Sequence, residues 1–194
     1  MEARRALRPL AVPVAALAAL GVAGCGGGTR QDAAEPSKTY RVTIVRASFP
    51  ARQRLAAPAR LVVEVRNASK ATVPDIAVTV DSFSARGERS DLADAQRPVW
   101  VIDRPPAGST TAYTNTWTLG PMFAGQTKRF VWRVTPVQPG THRVRVRIAA
   151  GLTGKAKAVL AGDRVPEREL TVRISSRPAR ARVDPETGAV VHGP

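Results

Sequence analysis

The chain has 194 residues and a formal net charge of +15, carried mainly by arginine. This length fits one domain plus a targeting segment and leaves no room for two full-size domains. A single cysteine excludes an intramolecular disulfide, and two histidines leave little material for a metal site, so we predict no metal and no cofactor beyond a covalent lipid. The charge indicates an anionic partner, or only the arginine-rich composition of a GC-rich genome.

The chain begins with a segment typical of an export signal. Arg4, Arg5 and Arg8 form a positively charged start and are followed by an apolar run up to residue 24. That run contains Pro9 and Pro13 and is too short for a comfortable membrane span. We therefore predict that residues 1–24 are a cleaved signal peptide.

The end of this signal, Val22-Ala23-Gly24-Cys25, resembles the lipobox of bacterial lipoproteins. In a lipobox a branched residue and two small residues precede a cysteine whose thiol forms a thioether with a diacylglyceryl group. The resemblance implies lipidation at Cys25, palmitate-type acyl chains, and anchoring to the outer leaflet of the cell membrane or to the cell envelope. An ordinary secretory signal with a chance cysteine is the alternative.

Residues 25–39 read as a tether. After Cys25 the sequence is rich in glycine and in small or polar residues, and it shows no apolar periodicity. Such a composition is typical of a flexible linker. We expect it to lift a folded domain away from a lipid surface.

Residues 40–176 alternate between apolar and polar positions, as half-buried antiparallel strands require. Turn signals separate six such runs from one another, at 40–44, 61–66, 76–81, 130–135, 143–148 and 170–174. Further candidate strands are 99–103 and 111–119, whereas 154–160 is predicted to be one helical turn or a loop.

Seven or eight short strands without intervening helices predict an all-β protein, an immunoglobulin-like antiparallel β-sandwich. A closed barrel is the alternative. We expect the core to form around Trp100, Trp117, Phe130 and Trp132. Residues 177–194 are a tail in which 182–192 is predicted to form a small hairpin.

Three segments resemble the immunoglobulin-like modules of bacterial surface proteins, notably the CARDB (cell-adhesion-related) type. They are Val65-Arg66-Asn67, then Leu119-Gly120-Pro121 with Gly125-Gln126, and finally Pro139-Gly140-Thr141-His142. The last departs from the pattern, because His142 stands where an aromatic such as Tyr is usual, and the middle turn is spread wider than usual. The resemblance covers residues 58–176 and implies an adhesion or binding module.

The sequence offers no catalytic constellation, and we predict no catalytic residues and no enzymatic activity. Neither histidine has a partner at a useful spacing, and His142 is predicted to be a partly buried structural residue. The stretch Gly151–Lys155 lacks phosphate-loop spacing and is predicted to be a glycine-bearing loop.

Two further motifs are interpreted as ordinary surface features. Glu88, Asp91 and Asp94 lie in the loop 84–98 among arginines, so a solvated loop is favoured over a calcium site. The glycosylation-like triplet Asn67-Ala68-Ser69 is predicted to be a turn.

One pattern predicts binding. Arg143, Arg145 and Arg147 share one face of a strand, and Arg173 would share that face if the last strand pairs beside it. Like charges this close repel one another, so water, acidic neighbours or an anionic partner must offset them. The partners we expect are the membrane through the lipid, an anionic envelope polymer or lipid headgroups, and a protein; nucleic acid is not expected outside the membrane.

These observations predict a lipid-anchored envelope protein that displays a non-catalytic immunoglobulin-like module for binding, adhesion or spacing. The alternative is an accessory subunit of an envelope enzyme, transporter or assembly system.

Overall fold

The computed structural model describes residues 35–84, 98–188 and 190–192. Within these ranges the chain is built from β-strands and one short 3₁₀ helix, Asp81–Ser84. No helix in the described part is long and apolar enough to cross a membrane. The strands are β1 (Lys38–Ser48), β2 (Arg52–Leu55), β3 (Ala59–Asn67), β4 (Ala77–Val80), β5 (Trp100–Arg104), β6 (Thr110–Tyr113), β7 (Thr116–Thr118), β8 (Thr127–Pro136), β9 (Gly140–Ala149), β10 (Ala156–Val159), β11 (Glu167–Pro178), β12 (Ala181–Val183) and β13 (Val190–His192).

The strands form two sheets that pack face to face as a sandwich. A five-stranded sheet has the order β10-β1-β3-β8-β5, and a six-stranded sheet has the order β2-β11-β9-β4-β7-β6. Each sheet ends in two edge strands and does not close on itself, so the architecture is a sandwich and not a barrel. The predicted all-β, immunoglobulin-like sandwich is confirmed, but its two sheets contain eleven strands in the described residues instead of the seven or eight predicted.

The sheets are mixed, which corrects the prediction of a purely antiparallel sandwich. β1 pairs in parallel with β10, and β11 pairs in parallel with β2, whereas the other pairings in the two sheets are antiparallel. Both parallel pairs place a four-residue strand at a sheet edge. Strands this short show too few alternating positions to be recognised in a sequence.

Aromatic residues fill the space between the sheets. Trp100, Trp117, Phe130 and Trp132 are buried, as predicted. The rings of Trp117 and Trp132 meet edge to face at 5.4 Å between centroids, and those of Phe130 and Trp132 stack at 5.8 Å. Phe83, in the 3₁₀ helix, contacts all three tryptophans. Aromatic contacts of this kind stabilise a core beyond simple area burial.

Two segments differ from their predicted local structure. Residues 156–159 form strand β10 instead of a helical turn or loop, because the exposed flank of β1 supplies a hydrogen-bonding partner. Residues 111–119 form two strands, β6 and β7, joined by a tight turn at Asn115, whose φ of 60° lies in the left-handed region that Asn tolerates. In both cases the outcome depends on pairing across the sheet, which local patterning does not contain.

The tail forms a small hairpin in which β12 pairs with β13. Asp184 opens the connecting turn, and its carboxylate accepts hydrogen bonds from the N–H groups of Glu186 (2.9 Å) and Thr187 (3.1 Å). Gly188 closes it at a φ of 67°. Asp-Pro at the start and Gly at the end are the residues that such a turn requires.

Candidate functional site

Glu35, the first described residue, is held by the loop between β9 and β10. Its Oε2 accepts hydrogen bonds from the backbone N–H groups of Leu152 (2.6 Å) and Thr153 (2.8 Å), and its Oε1 accepts one from Ala156 (2.6 Å). Partial burial raises the pKa of Glu35, but the hydrogen bonds from Thr153, Ala156 and Leu152 outweigh it and hold the pKa below its ordinary value. We call this arrangement the Glu35 latch.

The latch requires glycine at position 151. A Cβ atom placed on Gly151 would lie 2.3 Å from Cδ of Glu35, closer than any two non-bonded carbons approach. The requirement comes from this close approach, since the φ of Gly151 is not positive. The stretch Gly151–Lys155 is thus a glycine-bearing loop, as predicted, and its backbone amides bind an anion that belongs to the chain itself.

A second carboxyl group lies beside the latch. The N–H of Asp75 donates to the carbonyl of Ala150, immediately before the latch loop. Burial raises the pKa of Asp75 to about 6; the N–H of Gly120 and the charge of Lys128 oppose this, and the charge of Glu35 adds to it. Burial also lowers the pKa of Lys128, whose Nζ donates to the carbonyl of Leu119. The latch end of the sandwich therefore contains a carboxyl group whose pKa is raised to about 6.

The predicted arginine face lies on the outside of the six-stranded sheet and is partly neutralised there. Arg143 and Arg145 both approach Glu169 of the neighbouring strand β11, at 3.7 Å and 3.9 Å. Arg147 donates to the carboxylate of Asp81 at 2.8 Å. Exposed pairs like these contribute little to stability. They do supply the acidic neighbours that offset repulsion among the three arginines.

Arg173 lies on this same face but in a different environment. β11 pairs with β9, and Arg173 lies opposite Thr141, whose position has the same parity as Arg143. On its other side Arg173 lies in register with Arg52 of β2. Residues in register on neighbouring strands share a face, about 4.8 Å apart across the sheet. Arg52 and Arg173 are both exposed, and no described acidic residue forms an ion pair with either.

The sequence patterns did not predict a site role for Arg52 or Glu35. The alternation Arg52-Gln53-Arg54 is visible in the sequence, but strand β2 is only four residues long and pairs with a strand far away in the chain. Gln53 faces inward, where its Oε1 accepts a hydrogen bond from Trp100 Nε1 at 2.8 Å. Glu35 stands in a segment with the composition of a tether, and nothing local indicates that its carboxylate binds a loop more than a hundred residues away.

His142 is half-buried at the start of β9. Its ring meets that of Trp100 edge to face at 5.5 Å, and its Nε2 lies 3.3 Å from the carbonyl oxygen of Pro139. These contacts give the imidazole a structural role at the rim of the core, as predicted.

Asn67 is fully buried and uses its whole side chain within the fold. Nδ2 donates to the carbonyls of Ala71 (2.8 Å) and Met122 (2.9 Å), and Oδ1 accepts from Ser69 N–H (2.9 Å) and Ser69 Oγ (2.6 Å). The triplet Asn67-Ala68-Ser69 therefore ties one turn to the next and leaves no amide nitrogen available for glycosylation.

Several predicted site residues lie outside the described residues. They include the lipidation site and the loop acids, namely Val22, Ala23, Gly24, Cys25, Glu88, Asp91 and Asp94. Within the described ranges, no three His, Cys, Asp or Glu side chains come close enough together to hold a metal ion.

The sequence matches no protein-family model and no curated protein. Solved structures similar to the chain include a CARDB domain from Pyrococcus furiosus, crystallised in complex with di-metal ions, at 14% identity and a TM-score of 0.41, covering 71% of this chain and 86% of that one. A β-glucosidase from Listeria innocua in complex with gluconolactone is 13% identical over 72% of this chain and 16% of that chain, with a TM-score of 0.38. Native alpha-2-macroglobulin from Escherichia coli is 11% identical over 78% of this chain and 21% of that chain, with a TM-score of 0.43.

Proposed function

We propose that the protein is a lipid-anchored protein of the cell envelope that displays a non-catalytic immunoglobulin-like module for binding or spacing. In this proposal the chain is exported, cut before Cys25 and acylated on that cysteine with a diacylglyceryl lipid, which holds it at the outer leaflet. The observation that carries the proposal is the Glu35 latch. It binds Glu35, ten residues after the cysteine of the lipobox-like motif, to one end of the sandwich, where the proposed tether would join the domain.

The length of the tether sets how far the module can move from a membrane. Residues 26–34, the part of the proposed tether between Cys25 and the Glu35 latch, are nine positions long and rich in glycine. A chain of that kind spans about 17 Å on average and at most about 30 Å when fully extended. The latch end of the sandwich would therefore stay close to the lipid surface, while the opposite end would be presented to the surroundings.

The arginine face is the proposed contact surface. Arg143, Arg145, Arg147 and Arg173 would meet anionic groups of an envelope polymer or lipid headgroups, through the charge-assisted hydrogen bonds that guanidinium groups form with oxyanions. A protein partner would bind the same arginine face. Nucleic acid is not a proposed partner.

Fractionation of cells that express wild type or Cys25→Ser tests the anchor. Wild type should enter the membrane fraction and incorporate a labelled palmitate analogue, whereas Cys25→Ser should be released or remain as the uncut precursor. Thr29→Ser, four residues further on, is the matched control and should behave as wild type. If Cys25→Ser matured and fractionated as wild type, the anchor proposal would be wrong. A stoichiometric partner in detergent extracts of wild type would instead favour an accessory subunit.

A further inference from the structure

The end of the sandwich opposite the latch contains an open groove of about 640 Å³. Arg52 and Arg173 stand on its walls, and Thr141, Ser175 and Ser176 add three hydroxyl groups. No Asp or Glu is among its described lining residues. A concave surface whose described lining combines two guanidinium groups with several hydroxyl groups and lacks a carboxylate has the chemistry that an oxyanion requires.

The arginine pair at this groove differs from the arginines on the rest of the face. Arg143, Arg145 and Arg147 each have a carboxylate within 4 Å, whereas no described carboxylate lies within that distance of Arg52 or Arg173. The parallel register of β2 and β11 places these two like charges side by side. Such a pair is unfavourable by itself, and a bound anion would offset its repulsion.

We propose that this groove binds a phosphate group carried by a linear phosphodiester or polyphosphate chain. Each guanidinium can donate two parallel hydrogen bonds to phosphate oxygens, and the hydroxyl groups of Thr141 and Ser176 can donate to the remaining ones.

The position of the groove favours a polymer over a bilayer. Thr141 lies at the start of β9, and the latch loop follows Ala149 at its other end, which puts about 27 Å between them at the rise of an antiparallel strand. A lipid anchor attached through the latch end would keep the groove away from its own headgroups. This part of the inference rests on the proposed function, whereas phosphate binding does not.

Binding is tested with the full chain purified in detergent, using short-chain linear polyphosphate as the probe in isothermal titration calorimetry. The double variant Arg52→Ser/Arg173→Ser should weaken the affinity at least tenfold. The matched control Arg60→Ser/Arg133→Ser removes the same charge from an exposed arginine pair that lies in register on the five-stranded sheet, and it should change the affinity less than threefold. Equal losses in both variants would show that only net charge matters and would overturn the proposal.

Binding measurements with two further probes identify the source of the anion. Poly-L-glutamate should bind at least tenfold more weakly than polyphosphate, and equal binding would overturn the assignment to phosphate. Phosphatidylglycerol vesicles should not bind through these two arginines, and vesicle binding that Arg52→Ser/Arg173→Ser abolishes would assign the groove to a membrane instead. Because the probe is soluble, failure here leaves the Cys25 anchor standing, and failure of the anchor leaves phosphate binding standing.

Folding of the double variant is checked by thermal unfolding. Removing two adjacent like charges should leave the unfolding temperature unchanged or raise it. If the double variant unfolds, Arg52→Lys/Arg173→Lys takes its place; it keeps both charges but loses the planar fork, and it should still weaken polyphosphate binding at least threefold. Wild-type affinity in the lysine variant would overturn the proposed guanidinium geometry.

Discussion

Replacing Gly151 with alanine should release the Glu35 latch without touching the carboxylate itself. The three atoms nearest to the added Cβ all belong to Glu35, at 2.3, 2.4 and 2.5 Å, so the carboxylate must leave the loop. It would lose three hydrogen bonds to backbone N–H groups. A hydrogen bond to a charged group contributes about 1.5–3 kcal/mol when it is buried, and because this loop is partly exposed we expect about 2 kcal/mol in total.

A double-mutant cycle isolates this effect. Gly151→Ala should lower the free energy of unfolding by about 2 kcal/mol in wild type, and this shifts the unfolding temperature by about 4–8 °C for a domain of this size. In a Glu35→Ala background the added Cβ has no carboxylate to clash with. Alanine also lowers the conformational entropy of the unfolded chain, so the same change should be neutral or stabilising by about 0.5 kcal/mol. The coupling energy should therefore be about 2 kcal/mol.

Gly154→Ala is the matched control for the cycle. Its φ of +83° makes alanine unfavourable, but no atom lies within 4 Å of the added Cβ, so its cost should be the same with and without Glu35. Amide hydrogen exchange gives a second measurement, since Leu152, Thr153 and Ala156 should lose protection in Gly151→Ala. An equal cost of Gly151→Ala in both backgrounds would refute the latch as the reason for this glycine.

Three further changes test the described contacts. Folding raises the pKa of Asp75 from 3.8 to about 6, so the free energy of unfolding should fall by about 1–2 kcal/mol as the pH rises from 4 to 6 and should stay low above pH 6. Asp75→Asn should remove this decline, as measured by urea unfolding. A wild-type profile in Asp75→Asn would contradict the assignment. Trp100→Phe breaks the buried hydrogen bond to Gln53, whereas Trp132 Nε1 has no partner in the described structure. Trp100→Phe should therefore lower the free energy of unfolding by about 1 kcal/mol more than Trp132→Phe, as measured by chemical denaturation. Equal losses in the two variants would argue against the Trp100–Gln53 hydrogen bond. Asn67→Ala should destabilise by about 3 kcal/mol, because it removes the hydrogen bonds that Nδ2 donates to Ala71 and Met122 and those that Oδ1 accepts from Ser69. A change below about 1 kcal/mol would contradict this account.

The latch also predicts how the protein responds to acid. The pKa of Glu35 lies below its ordinary value, so its contribution to stability is complete above the unfolded pKa of about 4.5 and is lost as the pH falls through the lower folded value. Asp75 acts in the opposite direction over pH 4 to 6. Wild type should therefore be most stable near pH 4, where the two effects meet. Glu35→Gln should flatten the acid side of the profile and, because the charge of Glu35 adds to the raised pKa of Asp75, should also make the decline above pH 4 smaller.

Much of the sandwich follows from local patterning. The long strands β1, β3, β8, β9 and β11 each contain enough alternating positions to predict a buried face, and the three tryptophans and Phe130 predict the core that these faces enclose. The parallel edge strands β2 and β10 could not be predicted, because four residues carry almost no periodicity and their pairing partners lie far away in the chain.

The candidate sites also differ in how far the sequence alone could predict them. Arg143, Arg145 and Arg147 are visible as a pattern within one strand, and placing Arg173 beside them required only that β11 pair with β9. The groove depends on Arg52, which reaches Arg173 through a parallel pairing. The latch depends on a contact between Glu35 and residues 152–156, and neither partner indicates the other in the sequence.

Strand β1 also determines how the domain would respond to mechanical load. It is eleven residues long and lies between β10, with which it is parallel, and β3, with which it is antiparallel. Tension on the N-terminal side of Glu35, with resistance at the groove end, would run along β1 and load its interstrand hydrogen bonds in shear, many at once. Forced unfolding is governed by the unfolding rate. This rate is lower when many interstrand hydrogen bonds are loaded together in shear than when the strands separate one hydrogen bond at a time. The latch would be the first contact to yield, and its rupture would lengthen the chain between the applied load and β1 while the sandwich remains folded.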